Sequence, residues 1–275
     1  MMYLRILFLV VSFSVFSGET IYGLMMTGKD AMRERFAQIA VKNFFDQEYP
    51  DLKLVIVNHS PTYSLGHLDE RIIEIKLDER PESIGTMRNI GLDNVPNGAV
   101  FVNWDDDDWR VTQMVPQMYE YMKKYALDCT ALCARIDYIF PCNTCYITKR
   151  NGMSGLMMCR KKDITYPEVE IGEDARYLAK YKKRYKFMPM KNPAHWYLRF
   201  IHTGNVTKPE GSKKYKVAKN IWPVKKTERR YMEESLQQYA WVYEALNVEP
   251  PKFIRKVQAE VSEEDAPLPA DAPAY

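Results

Sequence analysis

The sequence predicts an open α/β sheet flanked by helices. Apolar runs of strand length alternate with amphipathic stretches of helix length from residue 21 onward. One of those runs, LKLVIVNHS (52–60), is apolar at every position from 54 to 57, as strands covered on both faces are. Another, AVFVNW (99–104), leads straight into Asp105, Asp106, Asp107 and Asp108. Ligands of open α/β sheets bind outside the carboxyl ends of the strands, so these carboxylates fall where such a sheet would use them.

The elements follow in order. IYGLMMTGK (21–29) reads as a buried strand entering a loop. A helix spans about residues 31–47, with Phe36, Ile39, Ala40 and Phe44 on one face. EYPD (48–51) stops it, because proline cannot continue the hydrogen-bond ladder. Residues 52–60 are the second strand and RIIEIKL (71–77) the third. Ser83 opens a helix to about Asn94, PNG (96–98) turns the chain, and 99–104 is the fourth strand. A helix over about 112–125 leads to a β-rich middle, ALCARIDYIF, TCYITKR and GLMMCRK, with NGMSG (151–155) turning between the last two. Another helix begins near Gly172, and a basic, aromatic segment runs to about residue 222. One charged amphipathic helix then spans about Thr227 to Asn247 and ends at EPP (249–251). The expected organisation is an apolar N-terminal segment (1–19), the sheet domain (20–222), a C-terminal helix (223–250) and an acidic Pro/Ala tail (251–275) with the composition of a disordered segment.

At 275 residues, 46% hydrophobic and 13% aromatic, the chain can bury a substantial core, which excludes global disorder. The net charge of +3 says little, but its distribution says more. Residues 180–230 are crowded with Lys and Arg and suit phosphates or a polyanion. Five cysteines, an odd number in a large chain, argue against a disulfide scaffold. CNTC (142–145) has zinc-like spacing, and Cys129 and Cys133 would complete four ligands. The pairs are not both CxxC and the segment reads as a strand, so buried reduced thiols are expected instead.

Four adjacent carboxylates repel one another, so the run needs an offsetting charge or open solvent. It is either an exposed acidic turn or a seat for Mg²⁺ or Mn²⁺, which prefer carboxylate oxygen and still accept phosphate oxygens. The neighbouring motifs favour the second. IGTMRNIGLDNVPNGAVFVNWDDDDW (84–109) resembles the segment of family-two, GT-A fold glycosyltransferases that reads RN-x-G, a short helix, G, an apolar strand and D-x-D-D. RFAQIAVKNFFDQEYPDLKLVIVN (35–58) resembles their first helix, Q-x-Y-P turn and second strand. GEDARYL (172–178) is similar to their G-E-D-x-x-L motif, and YLRFIHTGNVT (197–207) to a downstream segment that carries a histidine in many members. The four matches fall in family order between about residues 20 and 207.

The resemblance implies a GT-A type open mixed sheet flanked by helices, with a C-terminal helical extension. It implies a metal-dependent, inverting transfer of a sugar from a nucleotide-diphosphate sugar to an acceptor hydroxyl. Asp105 would contact the nucleotide side of the donor and Asp107 would ligate the metal, with Asp106 or Asp108 as alternatives one residue out of register. Metal binding would neutralise the departing diphosphate. Arg88 would add positive charge or brace the loop, bracing being favoured. Asp174 matches the catalytic base, which takes the acceptor hydroxyl's proton as the oxygen attacks the anomeric carbon. Glu173 and Asp174 also suit a helix N-terminus for purely structural reasons. His202 is a candidate metal ligand or phosphate contact, since neutral imidazole does either.

Two loops depart from the family pattern. The second strand ends in Asn58-His59-Ser60 where acidic residues are usual, and the first in Met26-Thr27-Gly28-Lys29 rather than a Pro-Thr-Tyr-Asn-like loop. Both loops belong to the implied nucleotide pocket, which makes Thr27 and Asn58 donor-binding candidates and leaves the base open, a UDP-sugar being the expected donor. The acceptor, a glycan, protein, lipid or modified nucleic acid, is not readable, and no obligate protein partner is inferred. Two other classes compete. A nucleotidyltransferase or sugar-nucleotide pyrophosphorylase would need a Gly-rich basic loop after the first strand, of which TGKDAMR is a faint version, and leaves GEDARYL unexplained. A nucleic-acid-binding module would use the Lys-rich 180–230 region with its interleaved aromatics.

MMYLRILFLVVSFSVFSGET (1–20) has the outline of a secretory signal but is too short for a membrane span. Sugar nucleotides are made in the cytosol, so the expectation is a retained segment that packs on the domain or touches a membrane, with the enzyme in the cytoplasm or on a membrane's cytosolic face. Cleavage after Ser17 would instead place it in the secretory pathway.

Overall fold

The computed structural model describes residues 18–29, 31–202, 221–222 and 224–251. The expectations for the apolar N-terminal segment up to residue 17 and for the acidic tail beyond residue 251 lie outside the described residues.

Strand-length apolar runs become the large sheet. Its parallel heart is β1 (Ile21–Thr27), β2 (Leu52–Asn58), β3 (Ile72–Lys76) and β4 (Val100–Asn103). A short strand, β5 (Asp108–Arg110), leaves for a second sheet. The chain returns to the first through β6 (Cys129–Leu132), and β7 (Ala134–Ile139) and β8 (Thr144–Lys149) build the second. β9 (Met157–Arg160) and β10 (Phe187–Met190) complete the large sheet, and β11 (Tyr197–Ile201) and β12 (Ile221–Trp222) the small one. The orders are β10-β6-β9-β4-β1-β2-β3 and β12-β8-β7-β11-β5. The large sheet is mixed because β9 runs antiparallel to both β4 and β6.

Alternating side chains of the large sheet feed two cores. Ile21 and Met25 of β1 meet one core with Ala37, Ala40 and Phe44 of α1 (Ala31–Phe45) and Met114, Val115 and Met118 of the next helix on that face (Met114–Lys124). Tyr22 and Leu24 meet the other with Leu92 of α2 (Ile84–Asp93) and Tyr177, Leu178 and Tyr181 of the helix Glu173–Lys182. In chain order the last two helices on these faces are α3 (Met114–Lys124) and α4 (Glu173–Lys182). Ser83 caps α2 as its type predicts, accepting the Thr86 N–H. A third core joins the small sheet, through Ile136, Leu198 and Phe200, to α5 (Lys226–Gln237) and α6 (Ala240–Ala245).

Three features differ from the sequence expectation. ALCARIDYIF is two strands in different sheets, broken at Cys133, whose N–H bonds Met190 O and Asn192 Oδ1. Both halves are buried, so nothing in the apolar pattern marks the bend. The C-terminal helix is two helices, because Tyr239 between them turns into the core against Phe200, ring centres 4.4 Å apart. Cys129 and Cys159, directly opposite across β6 and β9, form a disulfide instead of remaining reduced, while Cys133, Cys142 and Cys145 are free.

Candidate active site

β1 and β4 are parallel neighbours, so Thr27 and Asn103 reach the same sheet edge. Trp104 then locks the chain: its backbone N–H donates to Leu24 O and its indole N–H to Ala40 O, both at 3.0 Å. The four aspartates form the turn from the large sheet into β5, which pairs antiparallel with β11 of the small sheet. The acidic run is therefore the joint between two sheets, and it is mostly buried.

Its charge is divided among separate partners. Asp105, half-buried, accepts from Arg88 Nη2 at 3.2 Å. Asp106 and Asp107 share Arg33, whose Nη1 donates to Asp106 Oδ1 and, at 3.0 Å, to Asp107 Oδ2. Asp108 points into the protein, accepting from Tyr197 Oη at 2.5 Å and from the Phe200 N–H at 3.0 Å. Burial pushes Asp106 up to about 6 despite Arg33, and Asp108 up to about 7 with help from the negative charges of Asp107 and Asp105. Burial opposes ionisation of Asp107 too, but the Arg33 guanidinium and the His202 contact outweigh it and hold this carboxyl well below its usual range. Asp107 is the anion kept ionised.

His202, at the end of β11, is buried, stacks on Phe36 of α1 at 4.7 Å, and has Nε2 3.3 Å from Asp107 Oδ2. This brings together the two side chains expected to hold a metal. Among the described residues no group of three His, Cys, Asp or Glu side chains converges on a metal position. A carboxylate oxygen and an imidazole nitrogen nevertheless fit Mn²⁺ or Mg²⁺ that takes the rest of its ligands from phosphate and water. The buried Asp106 Oδ2 is a further carboxylate oxygen close to Asp107.

Asp174 stands on the first turn of α4. Gly172 before it has φ +80°, a conformation that costs an L side chain strain and glycine nothing. Asp174 Oδ1 accepts from Asn103 Nδ2 at 3.0 Å, and Asn103 Oδ1 accepts from Tyr166 Oη at 2.9 Å. Burial raises Asp174 to about 7, with Arg88 opposing and the charges of Glu173 and Asp105 adding to the rise. Arg88 is the hub. Its Nε lies 3.2 Å from Glu173 Oε1 and 3.3 Å from Asp174 Oδ1, while Nη2 holds Asp105. Burial disfavours its charge, but the surrounding carboxylates raise its pKa well above the usual value. Arg88 thus braces the acidic turn against the first turn of α4.

Thr27 Oγ1 lies 2.7 Å from Tyr63 Oη, which donates to Gly28 O at 2.7 Å. Tyr63 has one proton, so Thr27 donates to it. Thr27 also lines a cleft of about 260 Å³ with Lys29, Arg33, His59, Arg80 and Asp106. Asn58 is fully buried and its bonds go to protein: Tyr63 O at 3.1 Å, Glu74 Oε1 at 2.8 Å and the Ser60 N–H at 2.7 Å. It holds the loop that carries His59. Sequence reading missed Arg33 and Asn103. Arg33 is one of several charges on α1, and Asn103 is hidden at the end of an apolar strand, so neither carries a local signal.

No protein-family model matches the sequence, and no curated protein is significantly similar to it. Solved structures do match. Residues 1–349 of S. aureus TarS share the fold with a TM-score of 0.53 at 12% identity, over 90% of this chain and 73% of that one. The same protein in complex with UDP gives 0.54 at 13% identity, over 87% and 70% of the two chains. Its complex with UDP-GlcNAc gives 0.56 at 13%, over 80% and 72%. At such identity the likeness speaks to the fold, and the chain has the GT-A glycosyltransferase fold of TarS.

Proposed function

We propose that this chain is a metal-dependent, inverting glycosyltransferase that moves a sugar from a UDP-sugar to an acceptor hydroxyl. The observation that carries the reading is the Arg88 bridge, which sets Asp174 beside the acidic turn at the carboxyl edge of β4. The fold shared with TarS, a protein crystallised with UDP and UDP-GlcNAc, supports the choice of donor. A pyrophosphorylase would have no use for a buried carboxylate poised near 7 on a separate helix.

The cleft with Thr27, Lys29, Arg33 and Arg80 seats the donor, its cations facing the diphosphate. Asp107 and His202 would hold the divalent cation, with Asp105 or Asp106 turned to the nucleotide. When bound, the cation neutralises the diphosphate leaving group. Asp174 accepts the acceptor hydroxyl's proton as that oxygen attacks the anomeric carbon from the face opposite the diphosphate. Attack from that face inverts the anomeric centre. Asn103 and Arg88 orient Asp174, and Arg88 keeps its pKa from rising beyond the working range. We propose that the enzyme works in the cytoplasm or on a membrane's cytosolic face, where UDP-sugars are made.

The test is a panel of nucleotide sugars with Mn²⁺, scored for slow hydrolysis and thermal stabilisation. Stabilisation and UDP release confined to UDP-sugars support the reading. Nucleoside triphosphate and sugar-phosphate turnover without UDP-sugar hydrolysis refutes it in favour of nucleotidyl transfer.

A further inference from the structure

The candidate site occupies the carboxyl edge of the large sheet, and the amino edge has a chemistry of its own. Three segments meet there at the start of β6, the end of β9 and the start of β10: KKY (123–125) at the end of α3, RKK (160–162) and KRYK (183–186). They are knit around Asp128. Its N–H donates to Lys186 O at 2.9 Å, its carbonyl accepts from the Arg160 N–H at 2.8 Å, and Lys186 Nζ donates to Tyr125 O at 2.7 Å. Lys123, Lys124, Lys183, Arg184 and Lys186 are exposed, and so is Tyr125, at 41%. The acids of this corner are fewer. Asp128 pairs with Lys162 at 2.9 Å, Glu120 with Lys123 at 2.5 Å and Glu19 with Arg160 at 2.6 Å, and Asp163 follows the RKK segment. The dipole of α3 accounts for Lys123 and Lys124 in its last turn, but 160–162 and 183–186 lie outside the helices. At the β2 and β3 end of this edge the charges alternate, Lys53 following Asp51 and Arg71 paired with Asp69 at 2.7 Å, so the cationic excess is local.

The chain enters the fold at this same edge. Glu19, just before β1, accepts from both Arg160 Nη atoms at 2.6 and 2.7 Å, and its carbonyl accepts from Tyr49 Oη at 2.7 Å. Residues 1–17 therefore reach the domain beside the cations, and their sequence, MMYLRILFLVVSFSVFS, carries one charge, Arg5. A cationic patch attracts any polyanion, but an apolar segment beside it is matched only by one that also offers hydrocarbon. Each signal is weak alone: an apolar run this short does not span a bilayer, and a few lysines hold an anionic surface reversibly. Tethered at one edge, the two reinforce each other. We propose that the amino edge of the large sheet docks on a membrane surface rich in anionic lipid, through the exposed cations of 123–124 and 183–186 and through Tyr125, with the apolar sequence of residues 1–17 as the second contact. The seven residues of β1 then hold the donor cleft about 20 Å from that surface and open to solvent. This inference concerns where the domain sits and does not depend on the reaction it performs.

The test is flotation of the full chain, its intact mass confirmed, with vesicles of mixed phosphatidylglycerol and phosphatidylcholine and with vesicles of phosphatidylcholine alone. The expected result is binding to the mixed vesicles that exceeds binding to the neutral ones and falls as salt rises. Lys124→Gln/Lys183→Gln/Arg184→Gln, all at exposed positions, should weaken partition to the mixed vesicles on the order of a hundredfold, a factor of about five per cation, with Mn²⁺-UDP stabilisation unchanged. Equal partition of variant and wild type, equal binding to both vesicle types, or no flotation with either overturns the proposal. Single-stranded RNA binding that the variant loses, in a protein that binds no vesicles, assigns the edge to nucleic acid instead. UDP-sugar hydrolysis is scored on the same preparations. Hydrolysis without flotation overturns only the docking surface, and flotation without hydrolysis overturns only the glycosyltransferase reading.

Discussion

Replacing Asp174 with Asn tests the chemistry most directly, because Asn keeps the shape and removes the proton acceptor. Asn103 Nδ2 donates to Asp174 Oδ1, and an Asn at 174 can still present an oxygen to it, so the local fold should survive. With Asp174 near 7 in the native protein, its carboxyl is ionised in about 10% of molecules at pH 6 and about 90% at pH 8. A carboxylate base works only when ionised, so wild-type turnover should fall as pH drops through 7, tenfold per unit well below it. Asp174→Asn should lose roughly 10²-fold or more in rate, the usual scale for general-base loss, and with it this acid limb. The assay is UDP release at saturating donor between about pH 5.5 and 8.5, beside donor affinity from thermal stabilisation. Donor affinity should stay nearly unchanged. If the variant keeps the acid limb near 7, or loses donor affinity in proportion to rate, Asp174 shapes the pocket and is not the base.

The adjacent aspartates should separate by role. Asp107→Ala should abolish Mn²⁺-dependent stabilisation by UDP with the fold intact, whereas Asp108→Ala should cost about 1–3 kcal/mol in a urea melt, because the Phe200 N–H and the Tyr197 hydroxyl proton lose their acceptor. Arg33→Gln strips the shared cation from Asp106 and Asp107, so Mn²⁺ alone should raise its melting temperature more than that of the wild type; an equal rise would show that Arg33 and the metal do not compete for these carboxylates. Gly172→Ala meets no side chain but must adopt φ +80°, and chemical denaturation should register a loss of about 1–2 kcal/mol. Leu236→Ala, fully buried between α5 and the small sheet, should cost about 2–5 kcal/mol; a smaller loss would mean the C-terminal helices are dispensable to that core.

The sequence by itself determined the parallel heart of the sheet and its ligand edge. The stretches 54–57 and 100–102 are apolar at every position, and a strand can be so only when both faces are covered, so local pattern and tertiary fate coincide. Asp107, Asp174 and His202 stood out as candidates as well, because each sits in a short motif whose residues are neighbours in the chain. What tertiary structure decided is the pairing of distant charges. Arg33 meets the acidic turn 73 residues later and Arg88 meets Glu173 85 residues later, and an arginine's partner is not written in its own neighbourhood. The register within the aspartate run is of the same kind. Asp107 stays ionised because Arg33 and His202 face it, and Asp108 is driven toward neutrality because burial and the charges of Asp107 and Asp105 outweigh Arg110 and Arg199. Adjacent identical residues differ only through what the fold places against them. The break at Cys133 was invisible for the complementary reason, because the strands on both sides of it are buried and apolar pattern records burial and not direction, while the turn at Tyr239 follows two exposed glutamines that a continuous helix would carry equally well.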